Sequence, residues 1–319
     1  MTPVSSVPWH PFFMTRLEIG LNVAIVAVTD EEPRVLTVRE PRVSAGEPAL
    51  PFGRLDPEGD RTLELGLRGW VRDQTGLELG YVEQLYTFGD RDRRPPPEGE
   101  SARVISVAYL ALVREEEPAP EADAAWRGVY DFLPWEDFRH GPPRMIDRQL
   151  TPALQAWAGA KPAARRARYE RAEIAFGLGG AGWDEERVLD RYELLFEAGV
   201  ISEASGIGAG RSMAMDHRRM LATALGRLRG KLKYRPVVFE LLPTTFTLLQ
   251  LQRVVEALSG KKLHKQNFRR LVERARLVEG TGKQDSETGG RPAELFAFRR
   301  DVLRERPAPG VGLPGLPSG

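Results

Sequence analysis

The hydrophobic pattern divides the chain into three parts, and in the first part it predicts strands around one helix. Residues 62–74 carry apolar side chains at helical spacing, namely Leu63, Leu67, Trp70 and Val71. A nearly continuous apolar run, as at 103–113, is typical of a strand covered on both faces. The runs that predict strands are 22–28 (NVAIVAV), 34–38 (RVLTV), 81–88 (YVEQLYTF) and 103–113 (RVISVAYLALV). Together these elements favour an α/β sandwich.

From about Leu150 to Gly210 the pattern becomes helical. Residues 169–176 and 184–198 are amphipathic, and the glycine-rich stretch 177–182 separates them. This part contains no recognisable catalytic constellation. We interpret it as a helical insertion used for packing or for contact between two copies of the chain.

The third part predicts a winged helix-turn-helix. Residues 215–234 form a long basic helix, with Asp216 in the position of an N-terminal cap. A helix at 247–258, opened by a threonine cap, precedes the turn 260–262 and a second helix at 265–274. The polar, glycine-rich stretch 281–290 and a strand at 291–299 follow. Helix, turn, helix and glycine-rich hairpin in this order indicate the winged fold.

Composition narrows the class of protein. The chain is 41% hydrophobic and 29% charged, as in ordinary soluble proteins. It has no apolar run of membrane-spanning length, and its N-terminus lacks a charged region followed by an apolar stretch. We therefore expect a cytoplasmic protein without membrane contact. The absence of cysteine excludes disulfides and thiolate metal sites, and four scattered histidines give little support for a metal cluster. We predict neither a metal nor a cofactor.

Charge is distributed unevenly although the formal net charge is only +1. Residues 211–306 contain 22 Lys and Arg against 10 Asp and Glu, a local charge of +12. The remaining residues contain 24 basic and 35 acidic side chains, a charge of −11. This asymmetry indicates a basic C-terminal module with a polyanionic partner, attached to an acidic module with a different task.

Residues 50–77 (LPFGRLDPEGDRTLELGLRGWVRDQTGL) have the frame of a Nudix box without its carboxylates. Aligned from the closing Gly76, the Arg-Glu position reads Gly69-Trp70 and the Glu-Glu position reads Asp73-Gln74. A hydrolase needs several carboxylates on this helix face, because Mg²⁺ takes hard oxygen ligands and neutralises the diphosphate. Only Asp73 remains. We therefore predict that the chain is not an enzyme and keeps the shape of a nucleotide-binding scaffold.

Several motifs, in the same order, resemble the Nudix-related transcriptional regulators of NAD metabolism. They are 83–90 (EQLYTFGD), 103–113 (RVISVAYLALV), 224–243 (ALGRLRGKLKYRPVVFELLP), 246–251 (FTLLQL), 267–271 (NFRRL) and 289–292 (GGRP). The resemblance implies a bacterial homodimer that represses genes of NAD synthesis or salvage and responds to ADP-ribose or a related NAD-derived nucleotide. Residues from about 139 to 211 look like an insertion that shorter members lack.

The expected fold class is α+β, a Nudix-like α/β/α sandwich followed by a helical segment and a winged helix-turn-helix. The expected domains are a ligand-sensing domain at 13–145, the helical insertion at 146–212, and a linker helix with the winged helix at 213–306.

Double-stranded operator DNA is the expected partner of the basic module. In the second helix of the motif, Phe268 and Leu271 should face inward with Leu263 and Leu277. Asn and Gln suit adenine edges, Arg suits guanine, and Lys or Arg suits phosphates. A wing arginine suits the minor groove or the DNA backbone. The predicted DNA contacts are Lys231, Lys233, Lys265, Gln266, Asn267, Arg269, Arg270 and Arg291.

An effector with a diphosphate and two riboses needs cations, polar groups and an aromatic wall. Candidates near the matched motifs are Arg39, Arg54, Glu83, Gln84, Phe88 and Arg103. Phe88, like Tyr86, is equally compatible with a core position, and Arg39 and Arg103 are compatible with rim charges.

Two other functions are compatible with parts of this pattern. One is an active Nudix ADP-ribose pyrophosphohydrolase with an accessory nucleic-acid-binding domain, since some family members retain hydrolase activity. The missing glutamates oppose it. The other is a sequence-tolerant nucleic-acid scaffold, which phosphate contacts alone would explain. Side chains suited to base edges on the second helix oppose that alternative.

Overall fold

The N-terminal part of the chain is built on a mixed β-sheet. The computed structural model describes residues 17–39, 46–90, 103–204, 208–285, 292–305 and 310–311. Within these residues the strand order is β4-β5-β1-β2-β6, and β3 also pairs with β1. β1 and β5 are parallel, and the other pairs are antiparallel. The strands are β1 (Leu17–Thr29), β2 (Glu32–Val38), β3 (Phe52–Arg54), β4 (Tyr81–Phe88), β5 (Arg103–Leu112) and β6 (Ala124–Gly128).

Alternate side chains of β1 enter hydrophobic cores on opposite faces of the sheet, as strand geometry requires. Leu21 and Val23 pack with the helix α1 (Leu63–Thr75), whereas Ala24 and Val26 belong to a larger core shared with the rest of the chain. The Thr62 side chain caps α1 by accepting from the Leu65 N–H at 3.2 Å. The predicted sandwich and its single box helix are confirmed.

The middle of the chain is helical, as predicted. It contains α2 (Val129–Phe132), α3 (Thr151–Gly159), α4 (Arg165–Phe176) and α5 (Val188–Glu197). Gly177 ends α4 with a φ of +62°, and a Cβ at this position would lie 2.9 Å from the Trp183 backbone nitrogen. This close approach requires glycine there. The segment is not a separate appendage, because Tyr192 and Leu195 of α5 lie in the same core as the following helix.

The C-terminal part is a winged helix-turn-helix preceded by a long helix, also as predicted. A three-stranded sheet in the order β7-β9-β8 closes it within the described residues. Thr247 and Gln250 form a reciprocal capping box at the start of α7. The elements are α6 (His217–Tyr234), β7 (Thr245–Phe246), α7 (Leu248–Ser259), α8 (Lys265–Ala275), β8 (Val278–Asp285), β9 (Ala293–Phe298) and α9 (Val302–Glu305).

One sequence expectation about α6 is wrong. Asp216 precedes the helix as predicted, but its side chain makes no capping hydrogen bond. Its carboxylate lies instead 3.3 Å from the Arg219 guanidinium, one turn along the helix. In the described part of the chain, no helix is both long and apolar enough to cross a bilayer.

A buried ion-pair network joins the three parts of the chain. Glu136, in the turn after α2, accepts from Arg191 of α5 at 2.6 Å and from Arg229 of α6 at 2.5 Å. The side chains of all three residues have no exposed surface. Arg229 also donates to the carbonyl of Leu258, at the end of α7, at 3.1 Å. The sandwich, the insertion and the winged helix therefore share one charged centre.

Loss of the Glu136 charge should destabilise the whole chain. Glu136→Gln leaves two buried guanidinium groups without their counter-charge, and breaking a buried pair in this way costs about 3–5 kcal/mol. The matched control is Glu186→Gln, because Glu186 is 43% exposed and pairs with Lys233. An exposed pair contributes at most about 1 kcal/mol. Urea unfolding of the full chain measures both variants, and equal losses would contradict this role for Glu136.

Candidate ligand site and nucleic-acid interface

The two side chains that replace box glutamates bind the backbone of β3. The Trp70 indole N–H donates to the Arg54 carbonyl at 2.8 Å. The Gln74 amide donates to the Phe52 carbonyl at 2.7 Å and accepts from the Phe52 N–H at 3.3 Å. Gly53 lies directly under the indole, since an added Cβ would come within 2.1 Å of a ring atom. Trp70 and Gln74, at positions where a Nudix hydrolase has catalytic glutamates, therefore hydrogen-bond α1 to β3.

The box helix differs from the sequence expectation at one residue. Leu67 and Val71 are buried as predicted, but Trp70 is 37% exposed and lies outside the apolar stripe. The remaining carboxylate, Asp73, has a side chain 71% exposed and lies 3.6 Å from Arg72. Over the residues that the structure describes, no three His, Asp or Glu side chains are grouped so that they could hold a metal ion.

The candidate ligand residues are spread across the sheet. Arg54 and Phe88 lie on one row across the sheet, because Gly20 pairs with Arg54 and with Ser106, which in turn pairs with Phe88. Three strand spacings separate their backbones, about 14 Å. Arg39 is exposed beyond the end of β2, where its N–H donates to the Asp123 carbonyl.

Two candidates on β4 face the linker helix α6. The Glu83 carboxylate lies 2.6 Å from the Lys231 ammonium and accepts from the Tyr81 hydroxyl at 2.9 Å. Phe88 is only 4% exposed, and the Arg219 guanidinium lies 5.0 Å from its ring centre. Both side chains therefore have partners on α6, and their contact with a ligand stays a prediction.

Gln84, Arg54 and Arg103 remain predicted ligand contacts. Gln84 is exposed on β4, and its amide oxygen lies 3.5 Å from the Tyr109 hydroxyl. Arg54 is largely exposed, with its Nε 3.2 Å from the Glu18 carboxylate. Arg103 opens β5, and its side chain lies outside the described part of the structure.

His217, which no sequence motif singles out, connects α6 to Leu50 at the start of the box. His217 Nδ1 accepts from the Leu50 N–H at 2.9 Å, so the proton of the neutral ring lies on Nε2. Nε2 is 3.0 Å from the Asn22 side-chain oxygen on β1, and the ring makes an edge contact with Phe52. His217 was one of four scattered histidines with no motif around it. Only the fold brings it to Leu50.

Two predicted DNA contacts on α6 lie elsewhere. Lys231 binds Glu83 of β4, and Lys233 lies 2.5 Å from Glu186 and 3.7 Å from Glu185, both in the insertion. Both ammonium groups are therefore neutralised within the chain. The structure places these two lysines at contacts between parts of the chain.

The second helix of the helix-turn-helix has the geometry that the sequence predicts. Phe268 and Leu277 are fully buried, and Leu263 and Leu271 are partly buried. The Arg270 guanidinium donates to the Asn267 side-chain oxygen, which places these two side chains side by side. Arg291 lies outside the described residues. The predicted DNA contacts on α8 are all exposed, namely Lys265, Gln266, Asn267, Arg269 and Arg270, and Glu273 and Arg274 are exposed nearer its C-terminal end.

The turn between β1 and β2 docks on the first helix of the motif. The Glu31 carboxylate lies 2.9 Å from Arg253 of α7 and 3.8 Å from Lys262 in the following turn. Asp30 and Glu31 both have positive φ, 51° and 63°. Such values for residues other than glycine cost of order 1 kcal/mol each. β1 pairs with β3 of the box, and the turn that follows β1 contacts the helix-turn-helix.

A carboxylate closes the turn of the helix-turn-helix. Glu256 is 5% exposed and accepts from the Gln252 side chain, the Leu263 N–H and Lys262 at 2.8–2.9 Å. Burial acts to raise the pKa of Glu256, but these hydrogen bonds and the Lys262 charge outweigh it and lower the pKa. The ionised form is therefore the one that holds the turn.

Comparison with known proteins supports the assignment of the C-terminal part as a winged helix. Residues 238–298 match the family described as the NrtR DNA-binding winged helix domain. Over 86 residues the chain is 38% identical to the "ADPR responsive transcriptional repressor NtrR" of Acinetobacter baylyi. That match covers 27% of this chain and 34% of the relative, so it spans about a third of the relative's length.

Solved structures share the fold of most of the chain. The "Crystal structure of Shewanella oneidensis NrtR complexed with a 27mer DNA" has a TM-score of 0.58 at 23% identity, over 90% of this chain and 95% of that one. This likeness, together with the family match of residues 238–298, shows a fold in which an α/β sandwich precedes a C-terminal winged helix. A MutT/nudix family protein from Enterococcus faecalis has a TM-score of 0.53 at 15% identity, over 92% of this chain and 90% of that one.

The Glu256 contacts predict an acid-dependent loss of stability. A lowered folded-state pKa contributes stability that is present above the unfolded value and is lost as the pH falls through the folded value. The wild type should therefore melt above Glu256→Gln at pH 7, and the difference should shrink as the pH falls below 4.5, the ordinary value for this group. Calorimetric melting from pH 7 to 4 measures this. A difference independent of pH would contradict it.

Proposed function

We propose that the chain is a DNA-binding transcriptional repressor whose Nudix-like domain senses ADP-ribose or a related NAD-derived nucleotide. The observation that carries the proposal is α8, which exposes five polar side chains suited to DNA on a winged helix of matching family. The name of the Acinetobacter baylyi relative supports both repression and response to ADP-ribose. The resemblance further implies a cytoplasmic homodimer acting on genes of NAD synthesis or salvage.

DNA recognition in this proposal belongs to α8 and the wing. Asn267 and Arg270 contact each other and present an amide and a guanidinium together, which suits adjacent bases. Lys265, Gln266 and Arg269 are exposed around them and suit either bases or phosphates. The predicted wing contact of Arg291 remains part of the proposal. Lys231 and Lys233 are removed from it because of their ion pairs.

A repressor that senses a nucleotide needs a contact between its sensing and DNA-binding parts. Among the contacts between these parts in the described residues, two involve the box or the strand beside it. His217 joins the box loop to the linker helix through Leu50, and Glu31 joins the first hairpin to Arg253 of the helix-turn-helix. A nucleotide bound at the box lies close to Phe52, which contacts the His217 ring. We infer that its binding acts on DNA affinity through these contacts.

Specific DNA binding should depend on Asn267 and not on Lys233. With a duplex from the region upstream of the chain's own gene, Asn267→Ala should weaken binding by about 1–3 kcal/mol and leave binding to a scrambled duplex nearly unchanged. Lys233→Ala is the matched control, because its ammonium is neutralised by Glu186 and should leave affinity and salt dependence unchanged. Fluorescence anisotropy on both duplexes measures these effects. If Asn267→Ala weakened binding to both duplexes equally, α8 would contact only the DNA backbone and would not read the bases.

The same Nudix-like domain should bind ADP-ribose without cleaving it. Trp70 and Gln74 stand where a hydrolase has metal-binding glutamates, and both are engaged with β3. Full-length chain incubated with ADP-ribose and Mg²⁺ should release negligible AMP. Turnover at ordinary enzyme rates, about 1–10³ s⁻¹, would favour the alternative of an active pyrophosphohydrolase.

A further inference from the structure

Trp70 presents an aromatic surface beside the box loop. Three atoms of its ring system lie 2.1–2.3 Å from the position of a Cβ on Gly53, so one face of the indole rests on the β3 backbone. The side chain is nevertheless 37% exposed. The exposed area therefore belongs to the opposite face and the outer edge of the ring.

This ring is held in one orientation. The indole N–H donates to the Arg54 carbonyl at 2.8 Å, which fixes the ring plane relative to β3. One turn along α1, Gln74 makes two hydrogen bonds to the Phe52 backbone and holds the same strand at a second point. A rigid aromatic surface loses little conformational entropy when a planar ligand stacks on it.

We propose that Trp70 is the stacking platform for the heterocyclic base of the nucleotide effector, which binds without a divalent metal ion. This inference rests on the proposed function. Every nucleobase has a π-face, so stacking on a fixed indole supplies binding energy that needs no metal. The position that would hold a metal ligand in a hydrolase instead carries the group that recognises the base.

Charges near the platform set the orientation of the effector. Asp73 is exposed one turn along the helix and disfavours a diphosphate on that side of the ring. Arg54 supplies the carbonyl that anchors the indole, and its own side chain is 62% exposed. The diphosphate is therefore directed toward Arg54, whose guanidinium lies 3.2 Å from Glu18 and shifts from that carboxylate toward the phosphates when the effector binds.

Calorimetry on the full-length chain tests the platform with ligands that have or lack a base. Trp70→Ala should weaken ADP-ribose and AMP by about 5- to 150-fold, the range that stacking of one base provides. Ribose 5-phosphate lacks a base and should bind wild type and variant alike. Trp70→Phe keeps an aromatic ring and should retain most of the affinity for ADP-ribose. EDTA should leave all wild-type affinities unchanged.

Trp126 provides a matched control, because its indole N–H also donates to a backbone carbonyl, that of Glu116 at 2.9 Å, on the far edge of the sheet. Trp126→Phe should not change ADP-ribose affinity. ADP-ribose should also quench wild-type tryptophan fluorescence, and Trp70→Phe should abolish this quenching while Trp126→Phe preserves it. The fluorescence arm keeps the test decisive if Trp70→Ala does not fold.

The outcomes separate this inference from the proposed function. If wild type binds ADP-ribose and Trp70→Ala binds it equally well, the platform is overturned and the sensor role stands. Equal weakening of ADP-ribose and ribose 5-phosphate would also overturn it, because the indole would then only support the shape of the site. A requirement for Mg²⁺ would overturn the metal-free binding. Absence of wild-type binding at millimolar ADP-ribose would overturn the sensor role itself.

Discussion

The fold depends on one buried carboxylate. Glu136 receives a guanidinium from the insertion and another from the linker helix, and its own backbone carbonyl accepts from Arg229 at 3.0 Å. Arg191 also lies over the Trp183 ring at 3.9 Å. A buried arginine is tolerated only when its donors are satisfied, so each of these contacts fixes the relative position of two segments. Burial raises the pKa of the Tyr130 hydroxyl, which stays neutral and donates to the Ala257 carbonyl of α7 at 2.6 Å.

This centre explains why the insertion packs as part of the same folded unit and not as an appendage. The Trp183 ring of the insertion packs against the Phe138 ring. Glu185, also in the insertion, lies 3.0 Å from Lys261 in the turn of the helix-turn-helix. Phe138 donates its N–H to the Gly260 carbonyl in that turn at 2.7 Å. Elements distant in sequence thus support the first helix of the DNA-binding motif. In the proposed regulator, a change at the box reaches this helix through packed contacts.

Local patterns predicted most of the elements, because strand alternation, helical spacing and the Thr247 cap are properties of neighbouring residues. The altered box could also be predicted from the sequence, because a motif is recognised from residue types at fixed spacing. The partners of Lys231 and Lys233 could not be predicted, because Glu83 and Glu186 lie far away in sequence. A basic helix face looks the same whether its charges meet phosphates or carboxylates of the same chain. His217 and Trp70 were missed as contacts for the same reason, since their meaning depends on Leu50 and Gly53.

Reciprocal coupling between nucleotide and DNA tests the account most directly. The affinity of the full-length chain for ADP-ribose is measured with and without saturating operator DNA, and its affinity for the operator with and without saturating ADP-ribose. Linkage requires the two ratios to be equal. The account predicts a common ratio that differs from one by about 5- to 150-fold. A ratio of one in both directions, with both ligands bound, would show that the shared core does not connect the two sites and would contradict the account.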